Sequence, residues 1–137
     1  MPSSSPETIN TILGIVWRLA PKRVLDVGCG YGKYGALFRE YLELRYANNS
    51  QGNESSVDIW KNKNIVIDAV EGFEEYIGQL HYLVYDNVYA QNILDFVKRE
   101  DWSYDLIFMG DVLEHIDKEA ALATLLPKFV QRSTRGV

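Results

Sequence analysis

A short apolar run, Arg23-Val-Leu-Asp-Val27, leads straight into Gly28-Cys-Gly-Tyr-Gly32, and a helical pattern follows at once. This succession of strand, glycine turn and helix constrains the fold more than any other stretch. Glycines at 28, 30 and 32 let the backbone turn sharply and approach a ligand closely, because no Cβ stands in the way. Residues 33–46 then read as a helix, with Tyr34, Leu37, Phe38, Tyr41, Leu42 and Arg45 at spacings of three and four.

The same alternation continues along the chain. A first helix is expected to start at Pro6, with Ser5 as its cap and Glu7 in its first turn, and to stop at Pro21. Ile9, Ile12, Leu13, Val16 and Trp17 form its apolar face. Further strands are predicted at 65–70, 87–90 and 104–109, separated by helices over 73–83 and 93–99. Leu122, Leu125, Leu126, Phe129 and Val130 make a last helical stripe, which Pro127 is expected to end or kink near Leu126. Strands alternating with helices imply an α/β fold whose strands run parallel through right-handed crossovers. Residues 47–64 break the pattern with a polar, Asn- and Ser-rich insertion. At 137 residues the chain is read as a single domain, 1–137, able to bury a core without disulfides. Cys29 is the only cysteine, which fits a reducing, cytoplasmic setting. No apolar run is long enough for a membrane span. A net charge of −5 gives no basic surplus for a phosphate backbone, so nucleic acid is not indicated as a partner.

The glycine turn also narrows the ligand. A dinucleotide fingerprint needs glycine at 28, 30 and 33, and residue 33 is Lys. No Gly-Lys-Ser/Thr phosphate loop is present either. Asp26 lies two residues before the first glycine. A carboxylate there repels a pyrophosphate and attracts an ammonium group, which favours a cationic nucleoside over NAD.

Four pieces in order, Asp26-Val-Gly-Cys-Gly-Tyr-Gly32, Val70-Glu-Gly-Phe73, Ala90-Gln-Asn-Ile93 and the stretch 104–116, resemble the motifs of class I S-adenosylmethionine-dependent methyltransferases, in their small-molecule form. The resemblance implies a Rossmann-like parallel sheet of strand order 3-2-1-4 flanked by helices, a C-terminally truncated domain without the last three strands of the family's seven. It implies S-adenosyl-L-methionine as cofactor and S-adenosyl-L-homocysteine as product. Asp26, Gly28, Cys29, Gly30, Tyr31 and Gly32 would hold the methionine part. Glu71 would take the ribose hydroxyls, and Gly72 and Phe73 follow it in the cofactor-binding set. Asn92 would read the adenine amino group, with Phe73 and Ile93 beside the ring, and Met109 and Asp111 complete the cofactor set. His115 is the candidate catalytic base. Plainer readings stand beside these. Asn92 also suits a helix cap, Phe73 and Ile93 also suit a core, and Asp111 and Glu114 also suit a capping box. Cys29 reads as a small filler, Tyr34 as helix packing and His81 as a surface residue. Some relatives hold a divalent metal with a Glu-Glu-His set, but no metal is assigned to Asp111, Glu114 and His115.

The implied function is methyl transfer to an unidentified acceptor, a small molecule. The alternative is a non-catalytic module that binds the cofactor or its product and lacks the substrate half-site. With four strands, strand four would be a bare apolar edge, which invites a homodimer across it. The 47–64 insertion joins a helix to strand two, at the amino ends of the strands. It is therefore expected not to serve as a lid over the ligand edge.

Overall fold

Proline at the first helical position and Glu7 in the first turn start α1 (Pro6–Leu19). Its last turn closes through Ala20, a left-handed residue with φ 46° whose N–H reaches the Val16 carbonyl, and Pro21 follows. Ser5 precedes α1 without a side-chain cap to the backbone, and its hydroxyl lies 3.0 Å from that of Thr8 instead. This computed structural model describes residues 5–49, 61 and 63–137.

Four of the predicted strands form where expected: β1 (Arg23–Val27), β2 (Val66–Glu71), β3 (Asn87–Ala90) and β4 (Tyr104–Met109). All their pairings are parallel, in the order β3-β2-β1-β4. Successive side chains of a strand point to opposite faces, so β1 feeds two cores. Val24 packs with Phe38, Leu42, Ile67 and Leu106 on the side of α1 and α2 (Lys33–Asn49). Leu25 and Val27 pack with Val70, Phe96, Trp102, Ile107 and Phe129 on the other.

The strand order extends by one member beyond the expected four. β5 (Ser133–Gly136) lies parallel to β4, pairing Tyr104 with Ser133 and Leu106 with Gly136 across a register irregularity. The edge of β4 is therefore not bare, and the premise for a homodimer across it is lost. Ser133-Thr-Arg-Gly136 carries no apolar pattern to announce a strand. Polar anchors hold it: Thr134 donates to Asp105 at 3.1 Å, and Arg135 donates to the Leu19 and Ala20 carbonyls.

The helices differ from expectation where special residues intervene. The segment predicted as one helix over 73–83 splits into a 3₁₀ turn (Glu74–Tyr76) and α3 (Gln79–Val84), with Gly78 between them. Helix α4 (Ile93–Phe96) is shorter than predicted. Pro127 does not end the last helix. A π turn (Ala121–Leu125) runs from α5 (Lys118–Ala120) into α6 (Leu126–Arg132), and Pro127 stands directly after that irregularity as the second residue of α6. Helix α2 reaches Asn49, into the segment read as an insertion. The rest of that insertion, 50–60 and residue 62, lies outside the described residues. Among the described residues no helix is long and apolar enough to cross a membrane.

A buried ionic cluster fixes α2 to the sheet. Arg39 is fully buried and donates to the Val84 and Ile65 carbonyls, to Glu43 at 3.1 Å and to Asp86 at 2.7 Å. Glu43, also fully buried, accepts from the Asn64 and Ile65 backbone amides.

Candidate functional site

In a parallel sheet all carboxyl ends share one edge, and ligands of open α/β sheets bind there. Val27 lies level with Val70 and Met109, so the turns after β1, β2 and β4 emerge together. The Gly28 N–H donates to the Val70 carbonyl at 2.8 Å, bending the loop towards β2. Gly28 has φ +66°, and a Cβ on it would lie 2.4 Å from a Val112 methyl. Glycine is needed here both for the backbone conformation and for the close approach of the turn after β4. The Glu71 carboxylate is buried at the end of β2 and joins two turns. One oxygen accepts the Gly30 N–H at 2.8 Å, and the other accepts the Phe73 N–H at 2.9 Å.

Asp26 lies beneath this loop and is only 1% exposed. Burial is the main cause that pushes its carboxyl up to about 7. The Tyr85 hydroxyl, which donates to it at 2.6 Å, pulls the other way, the negative charge of Glu71 adds to the rise, and the Gly35 amide opposes it. Burial and the neighbouring Asp26 also push the Tyr85 hydroxyl above its ordinary range, so it stays a donor. Burial and the same carboxylates push the Cys29 thiol up. A thiol so disfavoured as thiolate is no nucleophile, in keeping with a small filler.

Tyr85 is seated against Gly35 in the first turns of α2, where a Cβ would come within 2.2 Å of its ring and hydroxyl. Gly35→Ala is expected to dislodge Tyr85 and lower the unfolding free energy by about 1–3 kcal/mol. Urea denaturation checks this, and an unchanged midpoint would show that Tyr85 does not depend on that space.

Sequence reasoning missed α3 as part of this site. His81 is not at the surface but buried, 1% exposed. Its Nε2 lies 2.8 Å from the Gly30 carbonyl, and its Nδ1 accepts the Gly78 N–H at 3.1 Å. His81 and Val84 are the buried residues of α3, and buried Tyr85 follows directly after its last residue. Their spacing in the chain was the available signal, and it carried no chemistry of its own.

The other candidates fall into place as follows. Tyr31 is exposed, with its ring 5.0 Å from that of Tyr76. Phe73 is 60% exposed and lies 5.6 Å from the same ring, so it is not a core residue. Gly72 is exposed beside it. Ile93 and Met109 are partly buried and pack against the second core cluster. Asn92 caps α4, its side-chain oxygen accepting the Leu94 N–H at 2.8 Å. Asp111 is exposed in the left-handed region, φ 56°. The 3₁₀ turn Leu113–His115 has Val112 at its cap position, without a side-chain cap. A side-chain cap stands at Asp117, which accepts the Glu119 and Ala120 amides and so starts α5. His115 is exposed on that 3₁₀ turn. Tyr34 packs against Phe38 and Phe108, and its buried hydroxyl meets no hydrogen-bond partner among the described residues. Among the described residues, no group of three or more His, Cys, Asp or Glu side chains is placed to hold a metal ion.

Comparison with known proteins assigns the class. The family model described as "Methyltransferase domain" matches residues 6–129, and the chain belongs to that family. No protein with a curated description matches the sequence. Among solved structures, the chain is similar to the O-methyltransferase TomG from Streptomyces achromogenes, involved in tomaymycin synthesis and solved in complex with SAM. The TM-score is 0.54 at 10% identity, over 96% of this chain and 52% of that one. It is also similar to the methyltransferase domain of bacterial CtHen1-C, with a TM-score of 0.49 at 18% identity, over 94% of this chain and 60% of that one. At such identity the likeness to TomG speaks for the fold alone. The chain spans about half the length of the TomG structure it matches.

Proposed function

We propose that this chain binds S-adenosylmethionine and takes part in methyl transfer to a small-molecule acceptor. One observation carries the reading. A buried carboxylate, a glycine turn open to close approach and a strand-end acid meet at one edge of the sheet, in a chain of the methyltransferase domain family. The cofactor's chemistry fits these groups. Asp26 offers negative charge to its ammonium, and the turn Gly28–Gly32 lies against its methionine part. Glu71 has spent one acceptor site on each oxygen, and a carboxylate has about four. The remaining sites suit the ribose hydroxyls. Asn92 keeps its amide N–H groups for adenine while its oxygen caps α4, and Phe73 supplies an exposed ring for the base. When bound, the cofactor supplies a methyl group already activated on a positively charged sulfur. The protein then has to orient and desolvate the acceptor. His115 is the base that would take the acceptor's proton.

The test is transfer of a labelled methyl group from S-adenosylmethionine to a panel of phenols and amines. Labelled product, reduced by His115→Ala for phenols more than for amines, is expected. Binding of S-adenosylhomocysteine with no transfer to any acceptor would reduce the chain to a binding module.

A further inference from the structure

We infer that His81 is a positioning residue, which holds the glycine turn from α3 in the shape that receives the cofactor. This rests on the reading of the site above. Both peptide groups that flank Gly30 are gripped from outside the turn. Glu71 accepts the Gly30 N–H at 2.8 Å, and His81 Nε2 meets the Gly30 carbonyl at 2.8 Å. Gly30 has φ +54°, and a Cβ on it would have no atom of the described residues within 4 Å. Within the turn the Gly32 N–H donates to the Cys29 carbonyl at 2.9 Å, and the Glu71 and His81 contacts add an anchor from outside on each side of Gly30.

The ring can make both its contacts in only one form. The Gly78 N–H can only donate, so Nδ1 must accept. The ring proton then sits on Nε2 and is donated to the Gly30 carbonyl, which can only accept. A cationic ring would set an N–H against the Gly78 N–H. His81 is thus neutral, with its proton on Nε2. It connects the start of α3 to the turn after β1 in one relay: Gly78 N–H to His81, His81 to Gly30. One helical turn later, Tyr85 grips Asp26 at 2.6 Å. The two side chains hold the mouth and the base of the turn, one from α3 and one from the residue that ends it, their rings 5.7 Å apart.

Two variants divide the contacts of the ring. His81→Asn keeps an acceptor near Nδ1 and loses the donor to Gly30. His81→Gln places an amide N–H near Nε2. In the unliganded protein, His81→Asn is expected to speed amide exchange of Gly30 and Gly32 by about tenfold, the worth of one hydrogen bond. Affinity for S-adenosylhomocysteine, measured by calorimetry, is expected to fall by about the same factor. His81→Gln should stay within about threefold of the natural protein in both. A long-range nitrogen–proton spectrum should show the Nε2–H form. Exchange and affinity unchanged in His81→Asn, equal damage by both variants, or a proton on Nδ1 would each overturn the inference. A natural protein that fails to bind S-adenosylhomocysteine would instead remove the proposed function. The exchange rates and the ring spectrum would still decide the role of His81.

Discussion

Asp26→Asn is expected to weaken binding of S-adenosylhomocysteine by roughly a hundredfold, the cost of removing one partner of a buried charge pair. The same substitution is expected to make the protein more stable at about pH 8. The free carboxyl is held at about 7, against an ordinary value of 3.8, chiefly because burial penalises its charge. A folded value above the unfolded one means that the folded state binds the extra proton. The associated stability is present in full below about pH 4 and is lost as pH rises through about 7. Three units correspond to roughly 4 kcal/mol at full ionisation. Asparagine occupies the same space, accepts the Tyr85 hydroxyl and does not titrate. Denaturant unfolding should therefore show the natural protein losing stability from about pH 4 to about pH 7, while the Asp26→Asn variant does not. The buried charge is a liability to the free protein that a bound ammonium would relieve. Equal affinity in the two proteins would separate Asp26 from the ligand, and parallel pH profiles would contradict its raised carboxyl.

The second large effect lies behind the site. Arg39→Met removes the cation from a fully buried cluster and leaves Glu43 without its ionic partner. Breaking a buried pair by removing one member costs about 3–5 kcal/mol, because the other charge stays buried. Against a total of about 5–15 kcal/mol for a domain, the variant should be near its limit of folding. The double variant Arg39→Met, Glu43→Leu should recover part of the loss, since it deletes the orphaned charge as well. Urea midpoints of the two variants measure this. A loss below about 1 kcal/mol in Arg39→Met would show that the cluster is solvated, as exposed pairs are.

That cluster also shows where sequence reading stops. Arg39 and Glu43 stand four apart on a helix, the usual spacing of a solvated ion pair. Nothing local says that they are buried over the entry to β2, because that depends on Ile65 and Asp86, distant in sequence. By contrast, β1 to β4 were legible, since each is a short apolar run between breakers. Their order was legible only through the family resemblance. β5 was not, because Ser133-Thr-Arg-Gly136 pairs through its backbone and its polar anchors.

Within the site, the chemistry of Asp26, the glycines and Glu71 could be read from the turn and its neighbours in the motif. The meeting of Glu71 with the Gly30 amide follows from the parallel register of β1 and β2. His81 and Tyr85 were invisible as site residues, because each reaches its target across more than fifty positions of sequence. A buried histidine without a motif looks the same in sequence as an exposed one. Only the seating of α3 against the turn distinguishes them.

The proposed function depends on the edge formed by Asp26, Gly28–Gly32 and Glu71 receiving the methyl-donor cofactor. Calorimetric titration of the natural chain with S-adenosylhomocysteine, with NAD as control, addresses that edge without needing an acceptor. One saturable site is expected, with a dissociation constant below about 100 μM, and no heat with NAD. No saturation with S-adenosylhomocysteine up to about 1 mM, or equal binding of NAD, would contradict it.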